Sequence, residues 1–358
     1  DGRRLSHSAK TRNECVEWLH ARQSELKQGL DLKGASTRLG DFLLTWLEQI
    51  RANLRLRTVE GYAVIIRVHI LPHLGNHRLM DLKPDIIDQF YATLLRNGVS
   101  RHAIHATHRV LHVALEKAVK YSYLLRNPAH GAIVPKAVSA EMSVLDEEQV
   151  SRFLTAANAS RYEALFHLAV VTGMRQSELL GLKWADLSWN RGVLYVRRQA
   201  MRRVADGFSE PKTKAGRRTV KLGNTTLQML QQQYHQQQLA RAVAGSRWKD
   251  NDLIFTSSIG TPLNQRNVSR EFHEILKAAG LPPIRFHDLR HTAASLMLNH
   301  GIPVIVVSKI LGHSKPSVTL DIYGHLYNEM QDQAAKLMDD LVSPVQVAEL
   351  KFHKGPTA

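Results

Sequence analysis

From Thr37 onward the apolar residues recur at three- and four-residue intervals. Leu39, Phe42, Leu43, Trp46, Leu47 and Ile50 make one stripe, the mark of a helix that buries a single face. Thr58 predicts the cap of a second helix carrying Val59, Tyr62, Ile65, Ile66 and Ile70. Pro72 is expected to stop it, because proline lacks the N–H that another turn needs. Pro84 suits a first helical position and opens a third helix running towards Asn97-Gly98. Ser100 caps a fourth, with Ile104, Leu111, Leu115 and Ala118 inward. These four helices predict a compact all-α domain over residues 35–127, preceded by a basic segment, 1–34, with one helical run from Glu14 to Leu26.

The pattern then breaks. His130 to Met142 has Gly131, Pro135 and little periodicity, so 128–142 reads as a linker. Asp146, followed by Glu147 and Glu148, predicts the first cap of a second domain, 143–328. Helical spacing covers Val150 to Ala157 and Tyr162 to Val171. Gly192 to Arg198 and Thr219 to Leu222 favour strands, with the polar, basic segment between them as a hairpin. Helices resume at 225–244, 266–279, 288–299 and 304–311. The glutamines from Gln231 to Gln238 fall within one helical pattern. The fold class is therefore mainly α with a small β-sheet. In the tail, 329–358, Met330, Ala334, Leu337, Met338 and Leu341 share one helical face.

A chain of 358 residues exceeds one typical core and suggests two or three domains. Its formal charge of +16 favours a polyanionic partner, nucleic acid first, since Lys and Arg displace the counterions held on phosphates. Candidate contacts on the polar helix faces are Arg55, Arg57, Arg67, Arg101 and Arg109, although such residues often form only a solvated surface. The single cysteine, Cys15, excludes an intrachain disulfide and fits a reducing cytoplasm. The apolar runs are too short to span a bilayer, so no membrane role is expected. The start at Asp1, without an apolar signal region, suggests a longer chain trimmed at its N-terminus.

Candidate chemistry lies in the second domain. Arg175 follows Thr172-Gly173 at a helix start, where backbone N–H groups favour an anion. Its planar fork can hold two phosphate oxygens. Arg290 lies three residues after His287, so both can face one side of a helix. Either arginine alone is more often a surface ion-pair partner. Lys212, Lys214, Arg217 and Arg218 crowd one loop, whose plain reading is contact with a DNA backbone. His287 can accept a proton, or donate to a phosphate when charged, and His313 would be a second donor. With 19 histidines in the chain, most must be uninvolved. His287 and His291 also have the i, i+4 spacing of a helical zinc site. Asp288 stands where zinc proteases carry Glu, however, and no clear third ligand follows. No Walker phosphate loop is present, so ATP is not expected.

In order, the frames Thr172-Gly-Met-Arg-Gln-Ser-Glu178, Lys212-Thr-Lys-Ala-Gly-Arg-Arg218, His287-Asp-Leu-Arg-His-Thr292, Leu311-Gly-His-Ser314 and Thr319-Leu-Asp-Ile-Tyr-Gly-His325 resemble the tyrosine recombinase family of phage-integrase type, over about residues 37–340. The resemblance implies a helical, SAM-like core-binding domain and a mixed α/β catalytic domain that clamp DNA. It implies a catalytic set of Arg175, Lys214, His287, Arg290, His313 and the nucleophile Tyr323, with Lys214 as general acid on a β-hairpin. Tyr323 is preferred over Tyr327 because it lies ten residues after His313 in the family's Thr-x-Asp-x-Tyr-x-His setting. Glu178 is a candidate for orienting Lys214 or His287. Residues 1–34 would be the remnant of an arm-binding domain, and the tail an element exchanged between subunits. The implied reaction is integration or excision of a mobile element through a 3′-phosphotyrosyl link, without metal, ATP or other cofactor. The implied partners are double-stranded attachment sites, a homotetramer in synapsis, and a directionality factor or host DNA-bending protein. A type IB topoisomerase and a non-catalytic DNA-binding relative are the rival readings.

Overall fold

The computed structural model describes residues 8–27, 29–136, 143–201, 207–209 and 216–323, with 335–336, 338–339 and 341–342 in the tail. The chain divides between residues 140 and 141 into two compact units. Among the described residues, no helix is long and apolar enough to cross a membrane.

The N-terminal unit opens with α1 (Arg12–Lys27) and the single turn α2 (Leu32–Ala35). In α3 (Leu39–Arg51) the stripe of Leu39, Phe42, Leu43, Trp46 and Leu47 is buried, and Trp46 stacks on Tyr62 with ring centroids 5.9 Å apart. Truncating Leu43, which is fully buried, to Ala would cost about 2–5 kcal/mol.

The second helix departs from expectation at both ends. α4 (Leu56–Ile65) starts two residues before Thr58, with Arg55 as the extended residue at its N-cap. Nor does it stop at Pro72. A π-turn over Ile66–Ile70, in which the Leu71 N–H reaches back to the Ile66 carbonyl, carries the chain into α5 (Leu71–Leu74). The wider turn shifts the hydrogen-bond register, so that proline enters as an early residue of the next segment. α6 (Pro84–Arg96) and α7 (Arg101–Lys120) follow, the latter capped by Ser100, whose Oγ accepts from the Ala103 N–H at 3.3 Å. A 3-10 turn, Pro128–Gly131, follows, and the described residues of this unit run on to Lys136.

The second unit begins with α8 (Glu147–Ala157), closed by a reciprocal capping box between Asp146 and Gln149. Next come α9 (Glu163–Thr172) and the short α10 (Gln176–Leu179). The strands β1 (Leu187–Ser188), β2 (Val193–Val196), β3 (Gln199–Ala200), β4 (Phe208–Ser209) and β5 (Arg218–Lys221) form two antiparallel sheets among the described residues, β1-β2-β5 and β3-β4. Leu194 pairs with Val220 and Val196 with Arg218. β1 and the β3–β4 pair are two residues each, too short for an alternation to show in sequence.

Five further α-helices follow among the described residues up to Tyr323: α11 (Asn224–Ala244), α12 (Gln265–Ala278), α13 (Asp288–Asn299), α14 (Val304–Leu311) and α15 (Pro316–Tyr323). Phe153, Phe166, Phe272 and Phe286 form the aromatic centre of its core. One residue of the glutamine run is structural. Buried Gln237 donates to the Leu253 carbonyl at 2.8 Å and accepts from the Trp184 indole N–H at 2.7 Å. In the tail, Met338 and Leu341 are exposed, whereas Met330, Ala334 and Leu337 lie outside the described residues.

Candidate active site

Three of the predicted motif turns meet at Arg290. Its side chain, 3% exposed, leaves α13 and donates from Nη1 to the Gly173 carbonyl at 3.0 Å and to the Leu311 carbonyl at 2.7 Å. The first carbonyl ends α9, two residues before Arg175. The second ends α14, two residues before His313. One guanidinium thus ties the Thr-Gly-Met-Arg turn to the Leu-Gly-His turn.

Both turns need glycine. Gly173 ends α9 in the left-handed region, at φ 60°, and a Cβ there would lie 2.5 Å from Leu311 Cδ2 and 3.2 Å from Ala293 Cβ. Gly312 ends α14 the same way, at φ 73°, which turns the chain so that His313 heads back towards the site.

Arg175 is the residue before α10 and its side chain is 39% exposed. An internal carboxylate occupies this helix start. Glu178 Oε2 accepts the Arg175 backbone N–H at 3.1 Å, and its Oε1 accepts from Arg175 Nη1 at 2.8 Å. The same carboxylate accepts from Arg218 Nη2 at 2.9 Å. Burial works to raise the Glu178 pKa, but the charges and hydrogen bonds of Arg218 and Arg175 hold it below the usual carboxylate range. Among the described residues its partners are therefore these two arginines.

Arg218 also departs from expectation. Its side chain is 6% exposed and donates from Nε to the Ile310 carbonyl at 2.5 Å as well as to Glu178. A cation so enclosed is a strut between β5, α10 and α14 rather than an outward contact for a DNA backbone. By contrast, Arg217, Arg55, Arg57, Arg67, Arg101 and Arg109 are exposed. Lys212 and Lys214 lie outside the described residues.

The histidines sit in a cationic field. His287, at the start of α13, keeps an open face to solvent. Even so, desolvation by the surrounding protein, followed by His291, Arg290 and Arg175, pushes its pKa down to about 4. His313 is half-buried, and desolvation with Arg290, Arg175, His291 and Arg218 likewise pushes it down to about 4. Arg175 and Arg290 thus act on both imidazoles. His291 lies beside His287 with ring centroids 5.3 Å apart. Asp288, the carboxylate next to them in sequence, is bound by Arg285 at 2.7 Å through both oxygens, which disfavours a zinc-protease arrangement.

Sequence reasoning missed Thr319. Its buried Oγ1 is 2.7 Å from His313 Nδ1. It stands one helical turn before Tyr323 on α15, so this bond registers the helix bearing Tyr323 against His313. The motif spacing held the signal, because residues i and i+4 share a helix face. The Tyr323 backbone ends α15, and its side chain lies outside the described residues, as does Tyr327.

Residues 143–330 match the model of the phage integrase family, and residues 38–95 match that of the phage integrase N-terminal SAM-like domain. The chain is similar to the tyrosine recombinase XerC-like protein of Caldanaerobacter subterraneus subsp. tengcongensis, 30% identical over 93% of this chain and 90% of that protein. It is also similar to the ICEBs1 integrase of Bacillus subtilis, 25% identical over 93% of this chain and 91% of that protein. Among solved structures, the Tn1549 transposon integrase in complex with transposon right-end DNA shares the fold. Its TM-score is 0.72 and its identity 21%, over 83% of this chain and 100% of that one.

Proposed function

The chain belongs to the phage integrase family and is a site-specific tyrosine recombinase of mobile elements, and from that premise we propose that Tyr323 cleaves DNA by forming a 3′-phosphotyrosyl link. The phenol oxygen bonds to phosphorus and the bond to the 5′ oxygen breaks. Lys214 protonates that leaving oxygen, giving a 5′-hydroxyl. A 5′-hydroxyl from a partner duplex then attacks the phosphotyrosine and restores the diester, so bond energy is conserved without ATP.

The observation that carries this reading is the junction at Arg290, which gathers Arg175, His287, His313 and the root of α15. Arg175 and Arg290 neutralise the non-bridging oxygens, where one well-placed donor is worth about 3–4 kcal/mol in the transition state. A phenol with a pKa of about 10 needs a base at neutral pH. His287, kept neutral by desolvation and by the cations around it, is assigned as the acceptor of that proton, a role that needs the anionic phosphate beside it to raise its basicity. His313 donates to the phosphate, and Glu178 holds Arg175 in place.

The partner is double-stranded DNA at attachment sites, consistent with the charge of +16 and with the DNA-bound relative. Arg55, Arg57, Arg67, Arg101, Arg109 and Arg217, with Lys212, are assigned to its phosphates. The helical domain, 35–127, and the catalytic domain, 143–328, would both engage the duplex, joined by the linker 128–142. Exchange between two duplexes breaks four strands, each needing one nucleophile, so the synaptic species is a homotetramer linked by the tail, 329–358. A directionality factor or host DNA-bending protein would bias the outcome, in the cytoplasm.

The test incubates the full chain and its Tyr323→Phe variant with nicked fragments spanning the element ends, then quenches in denaturant. A covalent adduct with the first protein and none with the second is expected, with binding equal. Equal adduct from both would overturn Tyr323 as the nucleophile. Multi-turn relaxation of supercoils without strand exchange would instead mark a topoisomerase. Deleting residues 329–358 should spare cleavage and reduce synapsis; unchanged recombination would remove the tail from the assembly.

A further inference from the structure

The N-terminal unit holds a second cluster of chemistry, to which the proposed strand-transfer mechanism assigns no role. His105, His108, His112 and Glu116 run down α7, and the 3-10 turn Pro128–Gly131 brings His130 against its lower end. The ligand atoms of His112, Glu116 and His130 all lie within 4.8 Å of one another. His130 Nε2 is 3.2 Å from Glu116 Oε1, and the His112 and His130 rings have centroids 4.7 Å apart.

We propose that His112, Glu116 and His130 form a binding site for a divalent transition-metal ion of zinc type, which clips the turn 128–131 onto α7. Two imidazoles and a carboxylate are an established zinc donor set, with water filling a fourth position. Ligands about 2.0–2.1 Å from a tetrahedral ion stand about 3.4 Å apart. The His130–Glu116 pair already meets that spacing, and side-chain rotation brings in His112. The i, i+4 relation of His112 and Glu116 puts both on one face of a regular helix.

A plain ion pair accounts for less. One imidazolium satisfies one carboxylate, and the second ring beside it would then be surplus. The support around Glu116 also suits a ligand. Asn127, 5% exposed, donates Nδ2 to Glu116 Oε1 at 2.7 Å and to the His112 carbonyl at 3.1 Å. Its Oδ1 accepts from the Ala129 N–H at 3.0 Å. One buried amide therefore fixes the carboxylate, the helix and the turn bearing His130 together, as outer partners do around metal ligands. The neighbouring histidines are engaged elsewhere, His108 with the Tyr91 hydroxyl at 2.9 Å and His105 with the Pro135 carbonyl at 2.8 Å.

The full-length protein, stripped with chelator and dialysed, is titrated with Zn²⁺ by calorimetry, and with Co²⁺ while ligand-field absorption is recorded. Stoichiometric Zn²⁺ binding, visible Co²⁺ bands and a raised melting temperature are expected. His130→Ala and Glu116→Gln should each weaken binding about ten-fold or more. His235→Ala, at an exposed position on α11, should change nothing. Because His130 is an exposed turn residue, its loss does not threaten the fold. Absence of binding in the wild-type chain, or affinity equal to wild type in both His130→Ala and Glu116→Gln, overturns the site. DNA cleavage is not part of the readout, so the outcome is independent of the recombinase mechanism.

Discussion

Glu178→Gln isolates the internal ion pairs beneath the proposed active site. The carboxylate serves three donors, Arg175 Nη1 through Oε1, and the Arg175 N–H and Arg218 Nη2 through Oε2. Glutamine keeps the shape but has one acceptor oxygen and one amide N–H₂. Its better orientation sets the oxygen where Oε2 was and turns the N–H₂ group towards Arg175 Nη1, donor against donor. One charged hydrogen bond, worth about 1.5–3 kcal/mol, is then lost. Arg218, 6% exposed, also loses its counter-charge, and breaking a buried pair from one side costs about 3–5 kcal/mol in all. The retained bonds place the expected loss near the lower end, about 3 kcal/mol. Urea unfolding measures it, with amide exchange in α10 and β5 assigning the transition to the catalytic unit. Adding Arg218→Met to the same chain removes the stranded cation and should recover part of the loss. A single variant within about 0.5 kcal/mol of wild type, or no recovery in the double variant, would refute the carboxylate as the anchor of both arginines.

Other outcomes follow from the same geometry. Gly173→Ala combines a left-handed backbone with a Cβ only 2.5 Å from Leu311 Cδ2, so unfolding midpoints should report a loss of about 2–4 kcal/mol. Thr319→Val removes the bond to His313, and single-turnover cleavage should slow by about two- to ten-fold with DNA affinity unchanged. Arg217→Ala should lower the salt dependence of DNA binding by about one counterion, whereas Arg218→Ala should lower stability instead. The depressed His287 and His313 pKa values set a pH window. Above about 6.5 both are neutral whether folded or not; between there and about 4 only the unfolded chain takes up protons, so stability must fall with pH across that range. Melting curves at stepped pH check this, and replacing His313 with Asn should flatten part of the slope.

The helices were legible where one buried stripe repeats, as in α3, α6 and α7, and where a cap residue stands at the boundary, as with Ser100 and Asp146. Pro72 misled because a π-turn leaves no mark on apolar spacing, yet it shifts the register that decides whether proline breaks a helix. The motif frames located Arg175, His287, Arg290 and His313 because local spacing determines which residues share a turn. Glu178 was legible as a neighbour of Arg175 for that reason. Its bond to Arg218, 40 residues away, was not, since it depends on β5 pairing with β2 in the register that sets Arg218 opposite Val196. In the loop sequence Arg217 and Arg218 look alike, but Arg217 is exposed just before β5, whereas Arg218, the first residue of the strand, turns its side chain inward to Glu178.

Arg290 shows why the site and the core cannot be varied separately. A phosphate ligand is usually thought of as a surface cation waiting for an anion, yet this guanidinium is 3% exposed and its Nη1 is held by two helix-end carbonyls. Those carbonyls are among the acceptors that an α-helix leaves unsatisfied at its C-terminus. The arginine satisfies them, and so fixes the two turns from which Arg175 and His313 project. Lysine could carry the charge, but its one nitrogen would be used up on the two carbonyls, whereas the guanidinium has further N–H groups beyond Nη1 for the phosphate of the proposed mechanism. Arginine is therefore needed here for shape as much as for charge. The same residue that stabilises the fold also brings the Arg175 and His313 turns together, although they lie far apart in the sequence.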